Sequence, residues 1–187
     1  MARHDAHVAH LPGDAVAKDL QWWAVVLART LLRRSFAHDD DYDDIYVACD
    51  ASTPFGIGVV VDGAELILPI LPGWDTRGRD IAWQEAVALE IAVEILVAQG
   101  LSDCRVRTRM DNTSVFFSEH NGHSRNPTIM ETLARIRDLE ALNNLDVVPI
   151  LVPNAHNSAD EPSRGVRSSS AQLPFPRLYP AIRSHFG

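Results

Sequence analysis

Four carboxylates, Asp50, Glu85, Asp111 and Asp160, stand where a chain has physical reason to gather them. Asp50 follows the apolar run 45–49 in ACDASTPFGIGVVVDG, and Asp111 follows CRVRTRM, so each leaves what reads as a strand. A carboxylate carried out of a buried strand is costly unless a cation or hydrogen bonds hold it. Glu85 belongs to a helix expected over 81–99, where Ile81, Leu89, Ala92 and Leu96 fall within about 40° of it and place it in the apolar stripe. Glu90 and Glu94, at about 140° and 180° from Glu85, read as ordinary residues of the other face. Asp160 stands at an expected helix start in HNSADEPSRG. Each has a plainer use: Glu85 as a salt-bridged residue at the stripe's edge, Asp111 as a helix cap, Asp160 as the answering half of a capping box begun by Asn157 or Ser158. Brought to one edge of a mixed sheet, however, four carboxylates repel one another without cations. Oxygen ligands with no His or Cys among them suit Mg²⁺ or Mn²⁺, and two such ions suit in-line displacement at a phosphodiester.

The elements that must position these groups follow from turn signals and periodicity. Residues 1–13 read as disordered, and Asp14 as the cap of a helix over 14–36. An acidic block, HDDDYDD, reads as a solvated linker. Three short apolar runs, 45–49, 56–61 and 64–71, are separated by Ser52-Thr53-Pro54 and Asp62-Gly63 and predict an antiparallel meander. After the 81–99 helix, stopped by Gly100, come a strand at 105–110, a short helix from about Asn112, a helix over 127–143 and a strand at 146–152. Strands joined by hairpins and then by helices predict a mixed α/β sheet with helices on both faces. The Ser- and Pro-rich residues 168–187 read as an extension outside the core.

Composition bounds the function. With 187 residues, 46% of them hydrophobic and 22% charged, the chain can bury a real core. No run reaches the length of a membrane span and the N-terminus lacks the apolar stretch of a secretory signal, so an intracellular, cytoplasmic or nuclear protein without membrane contact is expected. Cys49 and Cys104 support neither a disulfide framework nor a structural zinc site and are expected to be reduced core residues. The net charge of −8 excludes a protein that holds nucleic acid by overall basicity. A nucleic-acid substrate would need local basic residues, metal ions or a tethered partner.

The pieces DASTPFGIGVVV, WQEAVALEIA, MDNTSVFF and VPNAHNSADEPSRG, in this order and spacing, resemble the ribonuclease H domain of retroelement reverse transcriptases. The likeness is greatest to retrotransposon types whose last motif reads Asn-Pro-Ala-Asp-x-Pro-Ser-Arg, with Ser158 here in the proline's place. It covers about residues 45–165, and DLQWWAVVL resembles the segment that joins polymerase to nuclease in such elements. The resemblance implies a ribonuclease H-like fold: a five-stranded mixed sheet, antiparallel β1-β2-β3 and then parallel β4 and β5, with helices on both faces. It also implies three parts, an N-terminal extension at 1–44, a catalytic domain at 45–167 and a C-terminal extension at 168–187.

The implied activity is endonucleolytic hydrolysis of the RNA strand of an RNA–DNA hybrid, giving 5′-phosphate ends. Two Mg²⁺ or Mn²⁺ ions would be held by Asp50, Glu85, Asp111 and Asp160, one ion activating water and the other steadying the leaving 3′ oxygen. His156 matches a mobile histidine that assists proton transfer or product release in similar enzymes; a solvated loop histidine is its plainer reading. Ser52, Asn112 and Thr113 are candidates for contacts to 2′-hydroxyls or phosphates, and Arg125 and Arg164 for backbone phosphates, each being also an ordinary turn, cap or surface residue. No Lys/Arg- and Trp-rich protrusion lies between Asn112 and Asp146, so a polymerase domain is the expected partner that holds the hybrid and raises its effective concentration. Two other readings stay open: a DNA-directed nuclease of the same fold, and a domesticated binding or structural module that does not cleave.

Overall fold

A computed structural model describes residues 13–28, 42–53 and 55–187. The chain divides into two compact units, residues 1–34 and 35–187. In the first, helix α1 spans Asp14–Leu27, with Asp14 as its first helical residue rather than its cap. The helix expected over 14–36 is thus seen to Leu27, and its remainder, with Asp39, Asp40 and Asp41 of the acidic block, lies outside the described residues. So do residues 1–12, expected to be disordered.

The second unit holds a five-stranded sheet of order β3-β2-β1-β4-β5, built from β1 (Val47–Ser52), β2 (Gly56–Val61), β3 (Ala64–Pro69), β4 (Cys104–Met110) and β5 (Leu145–Leu151). The first three strands pair antiparallel, and β4 and β5 run parallel to β1, as expected. Asp62 and Gly63, both at positive φ (47° and 79°), make the two-residue turn between β2 and β3 that matches the twist of the strands. One shift of boundary matters for chemistry. β1 runs on through Asp50 to Ser52, so Asp50 lies within the strand, paired with Gly58 of β2, and not at its end.

Helix α2 (Ile81–Ala98) begins at Asp80, whose side chain accepts from the Trp83 N–H at 2.9 Å. It lies against the face of the sheet formed by Val47, Cys49 and Ala51, and is buried on nearly every side. That corrects the reading of Glu90 and Glu94 as ordinary residues. Helix α4 (Pro127–Asn143) covers the outer side of α2, so both glutamates are buried, and Glu90 forms a two-pronged ion pair with Arg135 at 2.6 and 2.8 Å. Helix α3 (Thr113–Asn121) starts from the Asn112 cap expected there. On the opposite face of the sheet lies α5 (Asp160–Ser163). Cys49 is buried, Cys104 is half-buried, and both are free.

The C-terminal residues also correct the sequence reading. Residues 168–187 include α6 (Pro180–Arg183) and return to the outer edge of β3: the Glu65 N–H donates to Ala171 O, the Leu173 N–H to Glu65 O, and the Leu71 N–H to His185 O. Leu173, Leu178, Ile182 and Phe186 join the main core. Unpaired backbone groups on an edge strand are a liability, and this segment supplies them with partners. Leu178, Ile182 and Phe186 stand four residues apart, but Pro174, Pro176 and Pro180 break the segment, so no helix long enough to bury them is announced.

Candidate metal centre and cleft

Alternation along β1 separates two jobs. Val47, Cys49 and Ala51 face α2, while Ala48 and Asp50 face α5. Gly58 makes the second face usable: a Cβ there would collide with Ser163 N and Ala159 O, so only glycine lets α5 lie directly on β2. Asn157 fastens the turn before α5, its Nδ2 donating to Cys49 O at 3.1 Å and its Oδ1 accepting from the Ala159 N–H at 3.2 Å. The Ser163 hydroxyl then reaches Asp50, donating to Oδ2 at 2.5 Å.

Asp50 from β1, Glu85 from the first turns of α2 and Asp111 from the end of β4 meet here, each offering an oxygen within 4.8 Å of the others. Asp160 lines the same cleft, about 300 Å³ in volume, with Ser52, Thr53, Asn154 and Arg164. The Arg164 guanidinium binds Asp160 Oδ1 at 2.7 and 3.1 Å, one turn along the chain.

Electrostatics in the cleft run as like charges in a poor solvent require. Burial is the main cause that pushes Asp50 up to about 7; Asp111 and Asp160 push the same way, and the Ser163 hydrogen bond pulls it back. Glu85 is pushed up to about 9, first by burial and then by Asp50 and Asp111, against the Ala51 backbone and the Asn112 side chain, which favour its charged form. Glu85 Oε2 is buried without a hydrogen-bond partner. An orphaned buried oxygen beside two further carboxylates, with no sulfur or imidazole in the set, fits a hard divalent cation.

The other candidates divide. Ser52 and Arg164 stand at the cleft. Asn112 caps α3 through Val115 N at 3.1 Å and also reaches Glu85. Thr113 is exposed at the start of α3. Arg125 lines a separate hollow with Asp80, Ser114 and Asn126. His156 is exposed in a 3-10 turn, Asn154–His156, whose first residue is the one at the cleft wall. Sequence reasoning assigned no part to Ser163 or to Asn154. The signal for Ser163 was its place three residues after Asp160, which puts both on the sheet-facing side of a single turn.

No protein-family model matches the chain, and no curated protein matches it. Solved structures do. Ribonuclease H1 from compost, LC11-RNase H1, obtained by a metagenomic approach, is 24% identical, with 65% of this chain and 94% of that one covered at a TM-score of 0.54. Ribonuclease H1 of the halophilic archaeon Halobacterium salinarum NRC-1 is 25% identical, covering 65% and 96% at 0.49. The N-terminal RNase H domain of rv2228c from Mycobacterium tuberculosis, as a fusion with maltose-binding protein, is 17% identical, covering 62% and 89% at 0.48. The likeness to the compost protein, over 65% of the chain, shows the fold: the unit that carries the five-stranded sheet has a ribonuclease H-like fold.

Proposed function

We propose that this chain is a metal-dependent endonuclease that hydrolyses the RNA strand of RNA–DNA hybrids, as the ribonuclease H part of a retroelement reverse transcriptase. The observation that carries the reading is the meeting of Asp50, Glu85 and Asp111 from three separate elements in one cleft lined also by Asp160. Two Mg²⁺ or Mn²⁺ ions held there would activate water and offset charge on the leaving 3′ oxygen.

The chain's own residues supply the rest. Ser163 holds Asp50 in its rotamer and favours its ionised form, and Asn112 does the same for Glu85. Arg164 neutralises Asp160 and offers its remaining N–H groups, on a half-exposed side chain, to a backbone phosphate. Ser52, at the cleft wall, is within the set that can meet a 2′-hydroxyl, the group by which RNA differs from DNA. The catalytic unit begins near residue 45, and α1 belongs to the connection towards a polymerase domain, which would hold the hybrid for a nuclease of net charge −8.

The test is cleavage of an end-labelled RNA–DNA hybrid with Mg²⁺ or Mn²⁺, beside duplex DNA, duplex RNA and the Asp50→Asn protein. Metal-dependent loss of the RNA strand alone, absent in the variant, is expected. Equal cutting of duplex DNA would move the assignment to a DNA-directed nuclease, and no cleavage at high protein concentration would move it to a binding module.

A further inference from the structure

A chain of net charge −8 can meet nucleic acid outside a metal site only through local cations, and β4 gathers three. Val106, Thr108 and Met110 are fully buried on the α2 side, so Arg105, Arg107 and Arg109 project from the other face, the one that carries Asp50 and α5. Arg109 lies opposite Ala48 of β1. At a rise of about 3.3 Å per residue the three positions stand about 6.6 Å apart, and Asp111 is the next step of the same alternation. The arginines therefore form a straight ladder that leads to the carboxylate cleft.

Aromatic rings are interleaved with this ladder. The Tyr42 ring lies 4.5 Å from the Arg105 guanidinium and 3.8 Å from that of Arg107, and Tyr46 lies 4.2 Å from that of Arg109. Asp43 fixes Tyr42 in place, its N–H donating to Arg105 O at 2.8 Å and its Oδ2 accepting from the Arg105 N–H at 3.0 Å. Arg105 is engaged with Asp146 at 2.8 Å. Arg107 and Arg109 have no carboxylate partner among the described residues; their guanidinium carbons lie over the rings, which leaves the N–H edges available. Guanidiniums at regular spacing on a rigid strand, with rings beside them, match the repeating phosphates and stackable bases of a single strand.

We infer that the β4 ladder is a binding track for the phosphodiester backbone of a single nucleic-acid strand, continuous with the cleft. The inference rests on the proposed function for which strand it serves, and adds to it a surface outside the carboxylate site. The test is fluorescence anisotropy of labelled oligodeoxythymidylate with the full chain in EDTA, across a salt series, so neither a hybrid nor cleavage enters the readout. Arg107→Gln/Arg109→Gln is expected to weaken binding about tenfold at low salt and to flatten the plot of log affinity against log salt by about 1.4, two contacts at about 0.7 each for single strands. Arg107→Lys/Arg109→Lys, which keeps the charge, should retain most of the slope. An unchanged slope in the glutamine pair, or no binding by the wild-type chain at low salt, overturns the track whatever the outcome with hybrids. Polyglutamate of matched charge binding as tightly as the oligonucleotide would overturn it in favour of an acidic protein segment.

Discussion

Replacing Asp50 with asparagine should make the metal-free protein more stable while removing its response to Mg²⁺. Asp50 is 4% exposed, and its carboxyl is pushed up to about 7 in the fold, against an ordinary aspartate value near 4. Because the folded value is the higher one, the folded chain binds more protons than the unfolded chain between about pH 4 and pH 7, so stability falls as pH rises through that window. Above pH 7 the whole cost of holding the charge is present: about three units at 1.36 kcal/mol each is an upper bound of about 4 kcal/mol. Relaxation and the linked titration of the neighbouring carboxylates reduce this, and about 2 kcal/mol is the expected gain from the neutral side chain, which still offers an oxygen to Ser163. For a unit of this size that is about 4 to 8 °C in Tm. Thermal and urea denaturation in EDTA at pH 8 should show the gain, and at pH 4 it should vanish. Added Mg²⁺ should then raise the Tm of the wild-type chain and leave the variant unmoved. A variant no more stable than wild type at pH 8, or one with a full Mg²⁺ shift, would refute the claim that these carboxylates converge.

Other perturbations probe the supports. Ser163→Ala removes a hydrogen bond that favours ionised Asp50, so the acid limb of any metal-dependent activity should move to higher pH by up to about one unit; an unmoved pH profile would leave Ser163 a packing role only. Gly58→Ala forces a methyl group into Ser163 N and Ala159 O and should destabilise the fold by about 2 kcal/mol or more by urea denaturation, with loss of Mg²⁺ affinity measured by calorimetry. Arg135→Ala strands Glu90, which is wholly buried, and should cost about 3 kcal/mol or more at pH 8. Less loss is expected near pH 4, where Glu90 can take up a proton; equal loss at both would mean packing, not charge, is what Arg135 provides.

The carboxylate pattern was legible because it obeys local rules. Strand alternation, helical angle and turn residues placed Glu85 towards the sheet, put Asp111 just beyond β4 and marked the hairpin-joined strands, while the parallel pairing of β4 and β5 came from the resemblance to ribonuclease H domains. Local rules also misled where burial comes from more than one side. Glu90 and Glu94 lie off the apolar stripe that faces the sheet, and only the packing of α4 and the C-terminal residues on α2 makes them core residues. The same holds for Leu173, Leu178, Ile182 and Phe186, which reach the core only because the chain around them returns to the edge of β3.

What the sequence by itself determined is the elements and the residue types at their ends, since propensity, period and turn chemistry act over a few neighbours. What only the tertiary structure decided is proximity: that Ser163 rather than solvent meets Asp50, that Gly58 lets α5 lie on the sheet, that Asn154 rather than His156 lines the cleft, and that alternate arginines of β4 point along the same face as Asp50. Those facts depend on contacts between residues about 60 to more than 100 positions apart, which chain-local physics cannot register.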